Sequence, residues 1–203
     1  MEKIHLQQVL PADIEKRSFE IITEELLSRG KADAILPENE LVVKRVIHTT
    51  ADFDYVDNLC ISEGAVQKGM QALKNGACIV TDTQMARSGI NKKKLAQFGG
   101  EAFCFISDED VAAQAKQQGT TRATASMEKA AKLNRPLIFA IGNAPTALIR
   151  LHELIEEGIV APALVIGVPV GFVNVVEAKE LFIGGDTPYI IARGRKGGSN
   201  VAA

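Results

Sequence analysis

Tryptophan is absent from this chain, and histidine and cysteine occur only three times each. Cys60, Cys78 and Cys104 are odd in number, widely spaced and set mostly in apolar sequence. That pattern indicates neither a disulfide framework nor a zinc site. His5, His48 and His152 have no HxxxH spacing and CxxC does not occur, so no protein-held metal is expected. No apolar run approaches the roughly 20 residues that a membrane-spanning helix needs. The first residues, MEKIHLQQVLPADIEKRSF, are mixed in charge and lack an apolar signal core and a cleavage signature; the expected location is the cytoplasm. Acidic and basic residues nearly balance, 25 against 23, for a formal net charge of -2. Such a balance gives no general attraction to nucleic acid or anionic membranes. GxGxxG and the Walker spacing are missing too, which leaves a nucleotide site weakly supported.

What is present is an ordinary globular composition, 46% apolar and 24% charged over 203 residues. It suffices for one domain, residues 1–203, with a core that needs no staples. Short apolar runs read as buried strands at 77–82, 101–107, 136–142, 163–170 and 188–193, because strands covered on both faces are apolar at consecutive positions. Helical spacing lies between them. Val66, Gly69, Met70 and Leu73 form one stripe, Ala123, Met127, Ala130 and Ala131 another, and Leu148, Leu151, His152 and Ile155 a third. Alternating strands and helices predict an α/β fold, a three-layer sandwich with a mainly parallel central sheet flanked by helices. The strand order stays open.

Open parallel sheets bind ligands beyond the carboxyl ends of their strands. The segments there are Thr81-Asp82-Thr83, Ser107-Asp108, Gly142-Asn143-Ala144-Pro145-Thr146, the stretch from Gly167 to Gly171, and GRKGGSN from Gly194 to Asn200. Any one of them is equally an ordinary turn, but five in one domain point to a large polar ligand. Arg195, Lys196, Gly197 and Gly198 suit carboxylates and phosphates alike, and a solvated turn fits as well. Arg122 follows the candidate caps Thr120 and Thr121. A cation at the positive end of a helix dipole gains little from its own helix, so an outside anion is its natural partner.

Residues 12–30 read as a helix with Ile14, Ser18, Ile21 and Ile22 on one face. The Ser18 hydroxyl then either bonds back to its helix or faces a site. His152 lies on an apolar stripe and reads as a core or interface residue, and His5 carries no signal. PENELVVKRVIHTT forms a further helix with Val43, Val46, Ile47 and Thr50 inward. His48 falls in its last turn, before Asp52, Asp54 and Asp57. The helix end and the aspartates both favour the imidazolium, which makes His48 a candidate general acid. A helix cap without chemistry fits the spacing equally well.

Taken together, the Ser18-Phe19 helix, RVIHTTADFD, TDTQMARSGINKKKLAQFGGE, CFISD, GTTRA, IGNAPTALIRL, GVPVGFVNVVEAKE and GRKGGSN resemble the precorrin-8X methylmutase family along nearly the whole chain. The resemblance implies an isomerase that moves a methyl group from carbon 11 to carbon 12 on ring C of a corrinoid, with no separate cofactor. It implies that His48 is catalytic and protonates the ring. It implies further that Ser18, Thr81, Asp82, Thr83, Thr121, Arg122, Asn143, Gly171, Arg195, Gly197, Gly198 and Ser199 contact a polycarboxylate substrate. A homodimer is implied as well. HTTADFD, TDT…SGINKK and GRKGGSN look closer to the branch that acts on cobalt-precorrin-8 than to the metal-free branch, so cobalt would arrive within the substrate. Two departures stand out: Ala178 replaces the usual serine, and a short apolar helix usually follows where this chain ends at SNVAA.

Overall fold

The computed structural model describes residues 10–203, which divide after Val56 into two compact units. The first carries helices α1 (Ile14–Ser28) and α2 (Glu40–Thr50), which pack on each other. Ile22 and Leu26 of α1 and Val43, Val46 and Ile47 of α2 are buried, and Arg45 reaches Glu15 at 2.6 Å. The α2 face is the one its spacing predicts, with Thr50 half-buried. The α1 face differs from expectation. Ile14 and Ile21 remain exposed, and the buried stripe is the i, i+4 pair Ile22 and Leu26. His5 lies outside the described residues.

A one-turn helix, α3 (Tyr55–Asn58), crosses the boundary. The second unit then runs through β1 (Leu59–Ile61), α4 (Ala65–Lys74), β2 (Cys78–Thr81), α5 (Gln84–Gly89) and α6 (Lys92–Gln97). β3 (Ala102–Phe103), α7 (Glu109–Gln118), α8 (Arg122–Ala130), β4 (Leu137–Ile141) and α9 (Pro145–Glu156) follow. β5 (Leu164–Gly167), α10 (Val175–Glu180), β6 (Tyr189–Ala192) and α11 (Ser199–Ala202) complete it. The strands form one sheet in the order β1-β6-β5-β4-β2-β3, all neighbours parallel except β1 and β6. The parallel strands all begin within the apolar runs that predict them. β1 is an addition, a three-residue, half-buried edge strand without a sustained apolar run to reveal it. β3 is far shorter than its run because it pairs with β2 alone at the other edge.

Helices cover both faces. Met127 of α8 and Leu148, Leu151 and Leu154 of α9 share a core with Val80, Phe139, Val165 and Ile191. On the opposite face Gly69 of α4 comes so near Leu164 that a β-carbon on the glycine would lie 2.7 Å from its Cδ2. All five residues of β4 are buried, as the centre of a doubly covered sheet requires. Among the described residues no helix is long and apolar enough to cross a membrane.

The strand order locates a functional position. Chain order runs outward from β2 to β3, then returns to β4 on the other side of β2. The winding therefore reverses between β2 and β4, and the crevice beyond their carboxyl ends is the topological switch point. Because Phe139 lies at the middle of β4 and is wholly buried, Phe139→Ala is expected to cost about 3–5 kcal/mol, read from urea unfolding followed by circular dichroism.

Candidate functional site

At the switch point sits Asp82, directly after β2 and 1% exposed. Its carboxylate accepts the backbone N–H groups of Gly142, Asn143 and Ala144 at 2.9, 2.8 and 2.6 Å. Burial pushes this carboxyl group up from its ordinary pKa, and the three N–H bonds pull it down, with burial the larger effect. Thr81 beside it is also buried, and its hydroxyl donates to the carbonyls of Thr83 and Phe103. Asp82 thus ties the end of β2 to the end of β4 and Thr81 ties it to β3, and the side chain left at the surface is Asn143.

The C-terminal loop closes onto the same place. Thr83 caps α5 by accepting from the N–H of Ala86, and its hydroxyl lies 2.8 Å from that of Ser199. Gly142 must lack a side chain because its β-carbon would fall 2.7 Å from the Cα of Ser199. Gly197 is tighter still, with Val168 O only 2.0 Å from where its β-carbon would be. Gly198 donates its N–H to the same carbonyl at 2.9 Å, and Gly171 donates to the carbonyl of Arg195 at 3.2 Å. The expected residues Thr81, Asp82, Thr83, Asn143, Gly171, Arg195, Gly197, Gly198 and Ser199 therefore fall on one connected set of loops at the carboxyl end of the sheet.

Thr121 joins that set through its hydroxyl, 2.9 Å from the Thr146 hydroxyl, while it caps α8 by accepting from the N–H of Thr124. Arg122 follows as the first residue of α8 and is exposed. No other described side chain or backbone group pairs with its guanidinium. Arg195 is also exposed, with its guanidinium 5.3 Å from the ring centre of Phe172. Phe172 and Val173 next to Gly171 are 79% and 78% exposed. The surface thus offers two cations and a bare apolar platform, which suits a ligand with apolar faces and an anionic rim.

One residue of this region escapes the sequence reading. Lys179 is completely buried, and its Nζ donates to the carbonyls of Gly194 and Lys196 at 2.7 and 2.8 Å. Burial pushes its ammonium down to about 8. The available signal is a lysine at i+4 in the stripe Val175, Ala178, Phe182, where an apolar residue belongs. His152 is half-buried, with its ring edge-on at 5.5 Å to Phe182, a core residue of the second unit.

The remaining two candidates belong to the first unit. Ser18 donates its hydroxyl to the carbonyl of Ile14 at 2.9 Å, the bond back to its own helix. His48 is exposed in the last turn of α2, which Ala51 ends in the left-handed conformation at φ 53. Its ring packs against Phe19 with centres 5.6 Å apart, and Arg45 covers Phe19 at 4.8 Å. Among the described residues no three His, Cys, Asp or Glu side chains converge as a metal site. For the switch point, Asp82→Ala is expected to lower stability by about 2–3 kcal/mol, since one buried and two partly buried N–H groups lose their acceptor and a buried unsatisfied donor costs about 1–3 kcal/mol. Asp82→Asn is expected to be intermediate, and denaturant titration of both variants checks the order.

The profile of the precorrin-8X methylmutase family matches residues 13–203. The cobalt-precorrin-8 methylmutase of Priestia megaterium is 47% identical over 193 residues, covering 95% of this chain and 84% of that protein. Its namesake from Salmonella typhimurium is 46% identical over 204 residues, covering 98% of this chain and 93% of that protein. In three dimensions the chain superposes on the precorrin-8x methyl mutase from Thermus thermophilus with a TM-score of 0.82 at 39% identity, covering 94% of this chain and 91% of that one. Likeness of this extent in sequence and in fold places the chain in the precorrin-8X methylmutase family of isomerases.

Proposed function

We propose that this protein is a cobalt-precorrin-8 methylmutase, which moves the ring C methyl group from carbon 11 to carbon 12 to give cobyrinic acid. The observation that carries the substrate is the 47% and 46% identity to two proteins named for it, against 39% to one named for precorrin-8x. The shift is intramolecular, so the work left to the protein is to hold the macrocycle and supply a proton. His48 is the acid; it is exposed, sits at the negative end of α2 and is braced by Phe19. Arg122 and Arg195 take carboxylate arms through charge-assisted bonds, and Asn143 and the glycine-rich strand ends present further polar groups. In this reading cobalt is carried by the substrate, no cofactor takes part, and the working form is a cytoplasmic homodimer.

The test is incubation with cobalt-precorrin-8 and, separately, metal-free precorrin-8X, followed by absorption spectroscopy. Faster conversion of the cobalt form supports the proposal. Preference for the metal-free form reassigns the substrate, and tight binding with no conversion of either leaves a corrinoid-binding protein without turnover. His48→Ala is expected to abolish methyl migration while corrinoid binding survives, and near-normal turnover would remove His48 from the acid role. Arg122→Ala is expected to weaken binding about 10- to 150-fold, from the roughly 1.5–3 kcal/mol of one charged hydrogen bond. Spectroscopic titration measures it, and unchanged affinity would make Arg122 a surface residue only.

A further inference from the structure

A buried lysine commonly meets a carboxylate; Lys179 meets only main chain. The two carbonyls it binds belong to Gly194 and Lys196, the residues on either side of Arg195. The carbonyl between them, that of Arg195 itself, accepts the N–H of Gly171 at 3.2 Å. Three consecutive carbonyls are thus held, and a few residues on, Gly198 is fixed to Val168 O at 2.9 Å. The Arg195 side chain escapes this binding and projects outward beside the exposed Phe172. A loop that only turned the chain would not need this. Replacing a buried charge by an apolar side chain of similar volume is often neutral or stabilising, so a methionine would serve the core of α10 as well.

We propose that Lys179 is a positioning residue for anion recognition, tying the backbone on both sides of Arg195 so that its guanidinium is already aimed when a substrate carboxylate arrives. The inference rests on the reading of Arg195 as a carboxylate ligand given above. Preorganisation of this kind acts on affinity, because a loop ordered in advance has less freedom to lose on binding. It should leave the chemical step alone, since Lys179 is completely buried and its ammonium hydrogen-bonds only to main chain.

The experiment compares wild type, Lys179→Met, Arg195→Ala and the double variant with cobalt-precorrin-8, alongside hydrogen–deuterium exchange of the backbone at 194–198. Lys179→Met is expected to raise KM at least ten-fold with kcat within two-fold, and to speed exchange at 194–198 at least ten-fold while β4 keeps its protection. In the Arg195→Ala background the same substitution is expected to add little, because the lysine acts through that arginine. An unchanged KM, or a full additional loss in the double variant, would overturn the proposal. If Lys179→Met does not fold, Lys179→Gln keeps N–H donors on a shorter, uncharged side chain and should give an intermediate KM; a wild-type KM in that variant counts against the tether. Failure of the wild-type enzyme to bind either corrinoid sinks the functional reading instead. The tether is then judged on exchange alone, where unaltered protection at 194–198 in Lys179→Met refutes it.

Discussion

The carboxylate of Asp82 accepts three successive backbone N–H groups at the start of the β4–α9 loop, and the carboxyl end of the sheet is arranged around that clasp. A loop leaving a central parallel strand must turn at once into a helix, and its first N–H groups have no strand or helix partner. Asp82 satisfies them from the neighbouring strand, which locks β2 and β4 together where the winding of the sheet reverses. Once that loop is set, Gly142 can lie against Ser199, and Ser199 against Thr83. Without the clasp none of these close approaches has a fixed surface to approach.

Lys179 is the counterpart with opposite charge. Asp82 serves N–H groups and Lys179 serves carbonyls; both are buried, and in each case the interacting groups belong to the main chain of a loop. Desolvation acts on each in the expected sense, raising the acid and lowering the base. Using ions to bind loops is costly in stability. What it brings is a single conformation for segments whose glycines would otherwise allow many. The exposed Arg122, Asn143 and Arg195 are then displayed by a rigid frame, as recognition of a large rigid ligand demands.

Much of this was legible in the residues. Continuous apolar runs marked the buried parallel strands, since burial on both faces removes the alternation that would otherwise blur them. The turn chemistry of Thr120 and Thr121 marked the start of α8, and Thr121 is its cap; the cap that Thr83 provides for α5 came only with the structure. Less legible were features set by edges and by neighbours. β1 pairs antiparallel with β6 over three half-buried residues, and pairing alone defines it. Ile14 and Ile21 satisfy a helical spacing yet remain exposed, because periodicity describes a stripe and cannot say what covers it. Lys179 reads as a solvated charge unless its place on the stripe of Val175, Ala178 and Phe182 is weighed against its type.

The amino-acid sequence by itself determined the alternation of strands and helices, the parallel character of the sheet and, through its motifs, the family. These follow from local rules, in which burial, periodicity and turn chemistry act over a few residues at a time. Only the tertiary structure decided the strand order, and with it the switch point between β2 and β4. It also separated residues that face outward, such as Arg122 and Arg195, from those spent on the frame, such as Thr81 and Asp82. The reason is physical. Whether a polar side chain is free or occupied depends on which distant backbone groups come within about 3 Å of it, and for Asp82 those groups lie some sixty residues further along the chain.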